Sequence, residues 1–212
     1  MSTVVASSRR KPLRLGIVGC GWAGEQAVIA GNDVARATVV AIADPDSGRR
    51  SGVQQRHDVP RAYVDYQELL RDDEVDAVYL ATNPLDRLPM VMATLRSGRP
   101  VLIQKPHATK PADIRRIARV AEQTDQLAQF CFYRRHLPRE KKLHALLTAG
   151  HIGDIYHGRI RVQYNHLPAL AEHGSTWLNV YGNMGGALAQ YASHEVDLCW
   201  WFMGCPRPLW AF

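Results

Sequence analysis

Residues 13–24 read Leu13-Arg14-Leu15-Gly16-Ile17-Val18-Gly19-Cys20-Gly21-Trp22-Ala23-Gly24, an apolar run that enters a glycine-rich turn. The run predicts a strand over Leu13–Val18, and the turn fits G-x-G-x-x-G, with a helix begun over Glu25–Ala30. A second run, Thr38–Ala43, predicts a buried strand that ends at Asp44, twenty residues beyond Gly24. A strand, a glycine turn that opens a helix, and an acid closing the next strand together make the fingerprint of a dinucleotide site. In that reading Gly19 permits the tight turn, Gly21 lets backbone approach a pyrophosphate, and Gly24 packs helix against strand. Cys20, Trp22 and Ala23 complete the cradle. The helix N-terminus then turns its free N–H groups and positive dipole end toward the phosphates. Asp44 can accept hydrogen bonds from a ribose diol, which favours NAD, because a 2′-phosphate would meet like charge there. Arg49 and Arg50 would offset that repulsion if turned inward, which leaves NADP open. The expectation is that both are exposed on the helix that follows.

The same alternation continues along the chain. Asp65–Leu70 predicts a short helix, Ala77–Ala81 a strand, Leu88–Leu95 a helix that stops at Gly98, and Val101–Ile103 a strand. Ala112–Ala121 predicts a helix behind Pro111, and Leu127–Phe132 a sixth strand. Continuous apolar strands between helices indicate a parallel sheet covered on both faces. After Phe132 the character changes. Pro138–Ala149 predicts a helix closed by Gly150, and Tyr156–Tyr164 alternates in the manner of a strand with one wet face. Leu167–Asn183 reads as an irregular loop, Gly185–Met203 as a mostly apolar helix, and Pro208–Phe212 as the start of a strand. The expected organisation is a disordered tail over 1–12, an α/β Rossmann domain over 13–132, and a partial α+β sheet domain over 133–212 that serves substrate binding and oligomerisation.

Composition narrows the classes. The 212 residues are 46% hydrophobic and 22% charged, with 16 Gly, 12 Pro and 4 Cys, which excludes collagen-like, disordered and disulfide-scaffold proteins. No apolar run approaches the ~20 residues that span a bilayer, so no membrane partner is expected. The net charge of +6 comes from scattered Lys and Arg, read as a solvated surface, and no nucleic-acid partner is expected. Ser8-Arg9-Arg10-Lys11-Pro12-Leu13 is similar to a twin-arginine signal, but cleavage after it would destroy the glycine turn. Cysteines at 20, 131, 199 and 205 form no CxxC pair, and His194, Cys199 and Cys205 lack zinc-ligand spacing. Reduced thiols and a cytoplasmic location are expected, with no metal.

Further motifs follow in order: Ala81-Thr82-Asn83-Pro84, Gln104-Lys105-Pro106, Tyr133-Arg134-Arg135, Gly150-His151-Ile152-Gly153-Asp154-Ile155, Gly185-Gly186-Ala187-Leu188, His194-Glu195-Val196-Asp197 and Trp200-Trp201-Phe202-Met203-Gly204. Together with the glycine turn they resemble the Gfo/Idh/MocA oxidoreductase family over nearly the whole chain from Leu13. The resemblance implies a Rossmann domain followed by a large, mostly antiparallel sheet. It also implies hydride transfer between nicotinamide and a hydroxyl-bearing carbon of a sugar, polyol or related compound, in a homo-oligomer. Cofactor contacts are then expected from Ala81, Thr82, Asn83, Gln104 and Lys105 as well as from the turn and Asp44. The family's sheet domain normally continues well past Phe212, so a fragment of a longer enzyme is a further reading.

The resemblance also assigns chemistry. Lys105 matches the lysine that touches the reacting hydroxyl and its proton, and His194 matches a histidine on the nicotinamide side. Where the family usually has Glu before that lysine, this chain has Gln104. Where an Asp commonly stands four residues before the histidine, it has Gln190. Arg87 replaces a common His, and Leu178 follows Trp177 where Arg often stands. Both glutamines can hydrogen-bond a sugar, yet neither can accept a proton at pH 7. The expected catalytic set is Lys105, His194 and Gln190, with either proton carrier taking the hydroxyl proton. Trp177, Tyr181 and Tyr164 read as a sugar platform or as aromatic core. The alternative is a catalytically silent dinucleotide-binding sensor or partner-binding protein, motivated by Gln104 and Gln190.

Overall fold

The computed structural model describes residues 11–163, 189 and 192–209. They fall into two compact units. One runs to Gln104 and includes Lys110–Gln129; the other takes Lys105–Thr109 and the chain from Phe130 onward.

In the first unit, the apolar runs become strands β1 (Leu13–Val18), β2 (Ala37–Ala43), β4 (Ala77–Leu80) and β5 (Val101–Ile103), as the sequence predicts to within a residue at each end. Two further strands, β3 (Arg61–Tyr63) and β6 (Ala128–Phe130), complete a sheet of order β3-β2-β1-β4-β5-β6. The pairs β1–β2, β1–β4, β2–β3 and β4–β5 are parallel. Every residue of β4 is buried, as expected of a strand covered on both faces. The strand order reverses between β1 and β4, and open α/β sheets bind ligands in the crevice outside the carboxyl ends at such a point.

The helices are α1 (Trp22–Asp33), α2 (Ser47–His57), α3 (Tyr66–Leu70), α4 (Pro84–Arg96) and α5 (Pro111–Thr124). Their starts are written locally. Asp46, Asp65 and Asn83 accept N–H groups of the first turns of α2, α3 and α4, and prolines open α4 and α5, where a missing N–H costs nothing. Ile17, Ile42, Leu80 and Ile103 of the sheet and Val28, Leu95 and Ile117 of the helices are all buried in the core. Each such side chain contributes roughly 1.5–3 kcal/mol on burial.

β3 has no counterpart among the strands expected from the sequence, because Arg61, Ala62 and Tyr63 are all half-buried at an outer strand and make no apolar run. Residue 81 and residues 127 and 131–132 lie outside the strands assigned to them. Arg50 is not an exposed helix residue; it is half-buried and its Nη1 donates to the Asp44 carbonyl at 2.5 Å, whereas Arg49 is exposed.

The second unit holds a 3₁₀ turn (Tyr133–His136), α6 (Pro138–Thr148) and α7 (Ser193–Phe202). α6 matches its expected span. The strand expected over Tyr156–Tyr164 is absent through residue 163: residues 156–163 carry no regular structure and are exposed. Alternation is a condition for a strand, but a strand exists only in a ladder, and no described residue pairs with this segment. Likewise Pro208 and Leu209 are exposed and not in a strand. The helix expected over Gly185–Met203 is described from Ser193 and closes at Phe202; most of its first part, with the Leu167–Asn183 loop, lies outside the described residues. A cleft of about 520 Å³ lies among α6, α7 and residues 160–163, lined by Glu140, Leu143, Ile160, Val162, Leu198 and Phe202.

Candidate functional site

The glycines of the turn divide by what a side chain would meet. Gly19 has φ +95°, and a Cβ there would lie 2.9 Å from the backbone of Ala81. A Cβ on Gly24 would sit 1.7 Å from the Gly19 carbonyl oxygen, so this position tolerates no side chain. At Gly21 a Cβ would meet nothing within 4 Å. Two glycines are therefore required by the protein itself. The third faces open space that a ligand backbone can fill. α1 begins just there, with Gly21 as its N-cap and no side chain capping its amides. An uncapped helix start beside a vacant glycine suits a pyrophosphate. Trp22, the first residue of α1, is 79% exposed, while Cys20 is buried and Ala23 half-buried.

Asp44 closes β2 and is buried. Its Oδ2 accepts the Cys20 N–H at 2.7 Å and its Oδ1 the Asp46 N–H at 2.9 Å. The carboxylate thus braces the glycine turn from behind. Each oxygen keeps a further lone pair for a diol. Beside it the Cys20 thiol is pushed up to about 12, first by burial and then by the Asp44 charge.

At the carboxyl end of β4, Ala81 donates its N–H to Val18, Thr82 has a buried hydroxyl with no partner among the described residues, and Asn83 caps α4. Gln104, at the end of β5, donates its N–H to the Leu80 carbonyl. Arg87 on α4 reaches back to both loops, donating to the carbonyl oxygens of Thr82 and Gln104. An open glycine, uncapped amides and an orphaned hydroxyl along one sheet edge fit a bound dinucleotide.

In the second unit the segment Lys105–Thr109 is joined to its neighbours by His107, whose ring lies 4.4 Å from Phe130 and 4.6 Å from Phe132. His194, at the start of α7, contacts Tyr133 edge-on at 4.9 Å. Its imidazole is held down to about 4, by burial first and by the positive charge of Lys105 second. It is therefore neutral at pH 7, a weak base, and its Nδ1 has no hydrogen-bond partner among the described residues. Flanking it, Glu195 pairs with Arg134 at 2.5 Å, and Asp197 takes a two-pronged bond from Arg135 at 2.5 and 2.8 Å. These pairs lock α7 to the 3₁₀ turn and fix the rotation that presents His194. Gln190, Trp177, Tyr181 and Tyr164 lie outside the described residues. Among the described residues no group of His, Cys, Asp or Glu could hold a metal ion.

Residues 13–132 match the family model described as "Oxidoreductase family, NAD-binding Rossmann fold", and residues 141–212 match the GFO/IDH/MocA C-terminal domain. The chain belongs to the Gfo/Idh/MocA oxidoreductase family. Its cofactor class is accordingly a nicotinamide dinucleotide. Among curated relatives it is 28% identical over 200 residues to trans-1,2-dihydrobenzene-1,2-diol dehydrogenase of Homo sapiens, a match covering 92% of this chain and 58% of that protein. The chain thus spans little more than half the length of such relatives. Among solved structures it is similar to myo-inositol 2-dehydrogenase from Lactobacillus plantarum (TM-score 0.78, 22% identity, 92% of this chain and 57% of that one). It is also similar to an oxidoreductase from Agrobacterium radiobacter in complex with NAD+, L-tartaric acid and magnesium (TM-score 0.82, 24% identity, 92% and 55%). These likenesses show the fold that the glycine turn predicts.

For this Gfo/Idh/MocA chain, sequence reasoning singled out the turn, Asp44, Lys105 and His194, but not the ion pairs around His194. Adjacent arginines after β6 and the Glu-x-Asp of Glu195-Val196-Asp197 were the available signal. Nor did it foresee that Arg87 is buried; a cation within an apolar helix face was the clue.

Proposed function

We propose that this chain carries the cofactor site and acid–base residues of an NAD(P)-dependent oxidoreductase acting on the hydroxyl or ketone carbon of a sugar, polyol or related compound. One observation carries the reading: Gly19 and Gly24 are hemmed in by backbone, whereas Gly21, at the uncapped start of α1, faces open space. Residues 13–132 bind the dinucleotide and residues 133–212 contribute to substrate binding and to a homo-oligomer face. The relatives' names support the substrate class, since a trans-dihydrodiol and an inositol both present adjacent ring hydroxyls.

Asp44 takes the ribose diol, and Gly19–Gly24 with Ala81, Thr82 and Asn83 hold the rest of the dinucleotide. Bound nicotinamide supplies the hydride acceptor or donor. Lys105 carries the hydroxyl proton at Nζ, because His194, held down to about 4, is too weak a base for that task near pH 7. His194 instead orients the hydroxyl through a ring nitrogen, and Gln104 and Gln190 supply neutral hydrogen bonds. NAD is preferred over NADP, although Arg50 turned toward Asp44 leaves a cation near a 2′-phosphate. None of the four cysteines forms a disulfide, which supports a reducing, cytoplasmic setting.

The test is a titration with NADH and NADPH read by tryptophan quenching, followed by turnover over a panel of sugars and cyclic diols. Saturable binding tighter for NADH, with Lys105→Ala cutting turnover about a hundredfold or more while binding persists, is the expected result. Binding with no turnover anywhere on the panel would assign the chain to the silent sensor class.

A further inference from the structure

Tyr133 opens the 3₁₀ turn of the second unit with 52% of its surface exposed, in company that is mostly covered. The rings of Phe130, His107, Phe132 and His194 follow one another at centroid distances of 4.4, 4.6 and 6.1 Å, and Tyr133 ends the series 4.9 Å from His194. The first three are half-buried and His194 is buried, so the phenol is the ring of this series that meets solvent broadly. The planes of Tyr133 and His194 stand at 78° to each other. A perpendicular pair takes up at most one face of the phenol, which leaves the other face to solvent. The ring is exposed, yet its backbone is pinned: the next two residues, Arg134 and Arg135, pair with Glu195 and Asp197 of α7 at 2.5 Å each. A tyrosine has only two side-chain torsions, so an anchored one offers contact area at small entropic cost. Lys105 belongs to the same unit, two residues before His107, and its positive charge is felt at His194. An open aromatic face therefore stands beside the two side chains assigned to proton handling and hydroxyl orientation.

We propose that Tyr133 is a substrate-binding residue, a platform whose ring face selects cyclic polyols over open-chain ones. The inference rests on the polyol reading above. A carbocyclic or pyranose ring carries its hydroxyls at the rim and turns C–H bonds toward a face, and the negative face of a phenol ring attracts such C–H groups. Laid on Tyr133, the substrate ring directs a rim hydroxyl toward His194. An open-chain polyol has no fixed C–H face to lay down. The contact uses the aromatic face and does not need the phenol hydroxyl, whereas a tyrosine that merely packed the turn would treat every substrate alike.

The experiment measures Kd for myo-inositol and for sorbitol, by calorimetry on the full chain saturated with NADH, and KM and kcat for whichever is turned over with NAD+. Wild type is expected to hold myo-inositol more tightly than sorbitol. Tyr133→Ala is expected to raise Kd and KM for myo-inositol about three- to tenfold, with kcat within about twofold and sorbitol unmoved. Tyr133→Leu, which keeps bulk without an aromatic face, is expected to follow Tyr133→Ala, and Tyr133→Phe to restore the wild-type values. Tyr133→Phe as weak as Tyr133→Ala overturns the platform and assigns the contact to the phenol hydroxyl. Equal weakening for both polyols, a loss confined to kcat, or myo-inositol held equally by wild type and Tyr133→Ala also overturns it, and each leaves the oxidoreductase reading standing. Wild type that holds NADH but binds neither polyol removes the polyol reading and this inference with it.

Discussion

In the first unit the buried side chains are mostly apolar, Val28, Ile42, Leu80 and Ile103 among them, with Asp44, Arg87 and Thr94 as buried polar exceptions; in the second, the buried side chains of α6 and α7 are Glu140, His194, Glu195 and Asp197, joined by Leu198. Exposed apolar side chains occur in both units, Trp22, Val64 and Leu85 in the first and Leu143, Ile160, Val196 and Trp200 in the second. The first unit closes its backbone hydrogen bonds in a six-stranded sheet and rests mainly on apolar burial, which involves no titrating group. The second, over its described residues, rests on ion pairs whose gain is modest when intact and whose loss is costly when one partner is removed. The comparison teaches where each is brittle. Geometry is the weak point of the first unit, and charge that of the second.

The sharpest way to break the first unit is therefore steric. Gly24→Val drives a side chain into the Gly19 carbonyl; it is expected to cost at least about 4 kcal/mol and to abolish NADH binding, as read by urea unfolding and quenching. In the second unit the matching test is electrostatic. Asp197→Asn leaves Arg135 without its two-pronged partner and is expected to cost about 2–3 kcal/mol, discounted for the partial exposure of Arg135, whereas Asp197→Asn with Arg135→Met recovers much of that loss.

Acid separates the units without mutation. In the unfolded chain His194 takes a proton near its ordinary 6.5, whereas in the fold it refuses one until about 4. Between those values the unfolded state binds more protons, so stability falls as pH drops from about 6.5 to about 4, by up to roughly 3 kcal/mol. His194→Gln is expected to flatten that slope in pH-dependent melts. In the first unit Glu25, Asp72 and Asp76 have lowered values, held down by their partners' hydrogen bonds despite burial, and their contributions are lost only at more acid pH, below ordinary values of 4.5 and 3.8. The smallest expected effect is Asn83→Ala, which removes the cap of α4 at about 1 kcal/mol; a melting-point shift with NADH affinity reduced only slightly is the expected outcome.

The same division explains what could be read from the chain beforehand. Strands β1, β2, β4 and β5 are legible because each is an apolar run bounded by glycine, proline or acid, and the turn is legible because Gly19 and Gly24 answer to local sterics. β3 was not, since Arg61-Ala62-Tyr63 borrows its order from pairing with β2. The Tyr156–Tyr164 alternation misled for the complementary reason: period two states a capacity for pairing and names no partner. In the candidate site Asp44 was legible by spacing, but its grip on the Cys20 N–H was not, because a bond across twenty-four residues leaves no periodic trace. The inward turn of Arg50 and the enclosure of Arg87 escaped likewise, since both depend on which carbonyls the folded loops present.

The buried cysteine of the glycine turn has a practical consequence. A thiol pushed up to about 12 is thiolate in only roughly one molecule in ten thousand at pH 8, and alkylating reagents and peroxide act on the thiolate. Cys205 lies exposed after α7. A maleimide dye added in modest excess will therefore react first at Cys205, ahead of the half-buried Cys131 and Cys199, and leave Cys20 native, so that the second unit can be followed while the dinucleotide cradle stays chemically untouched.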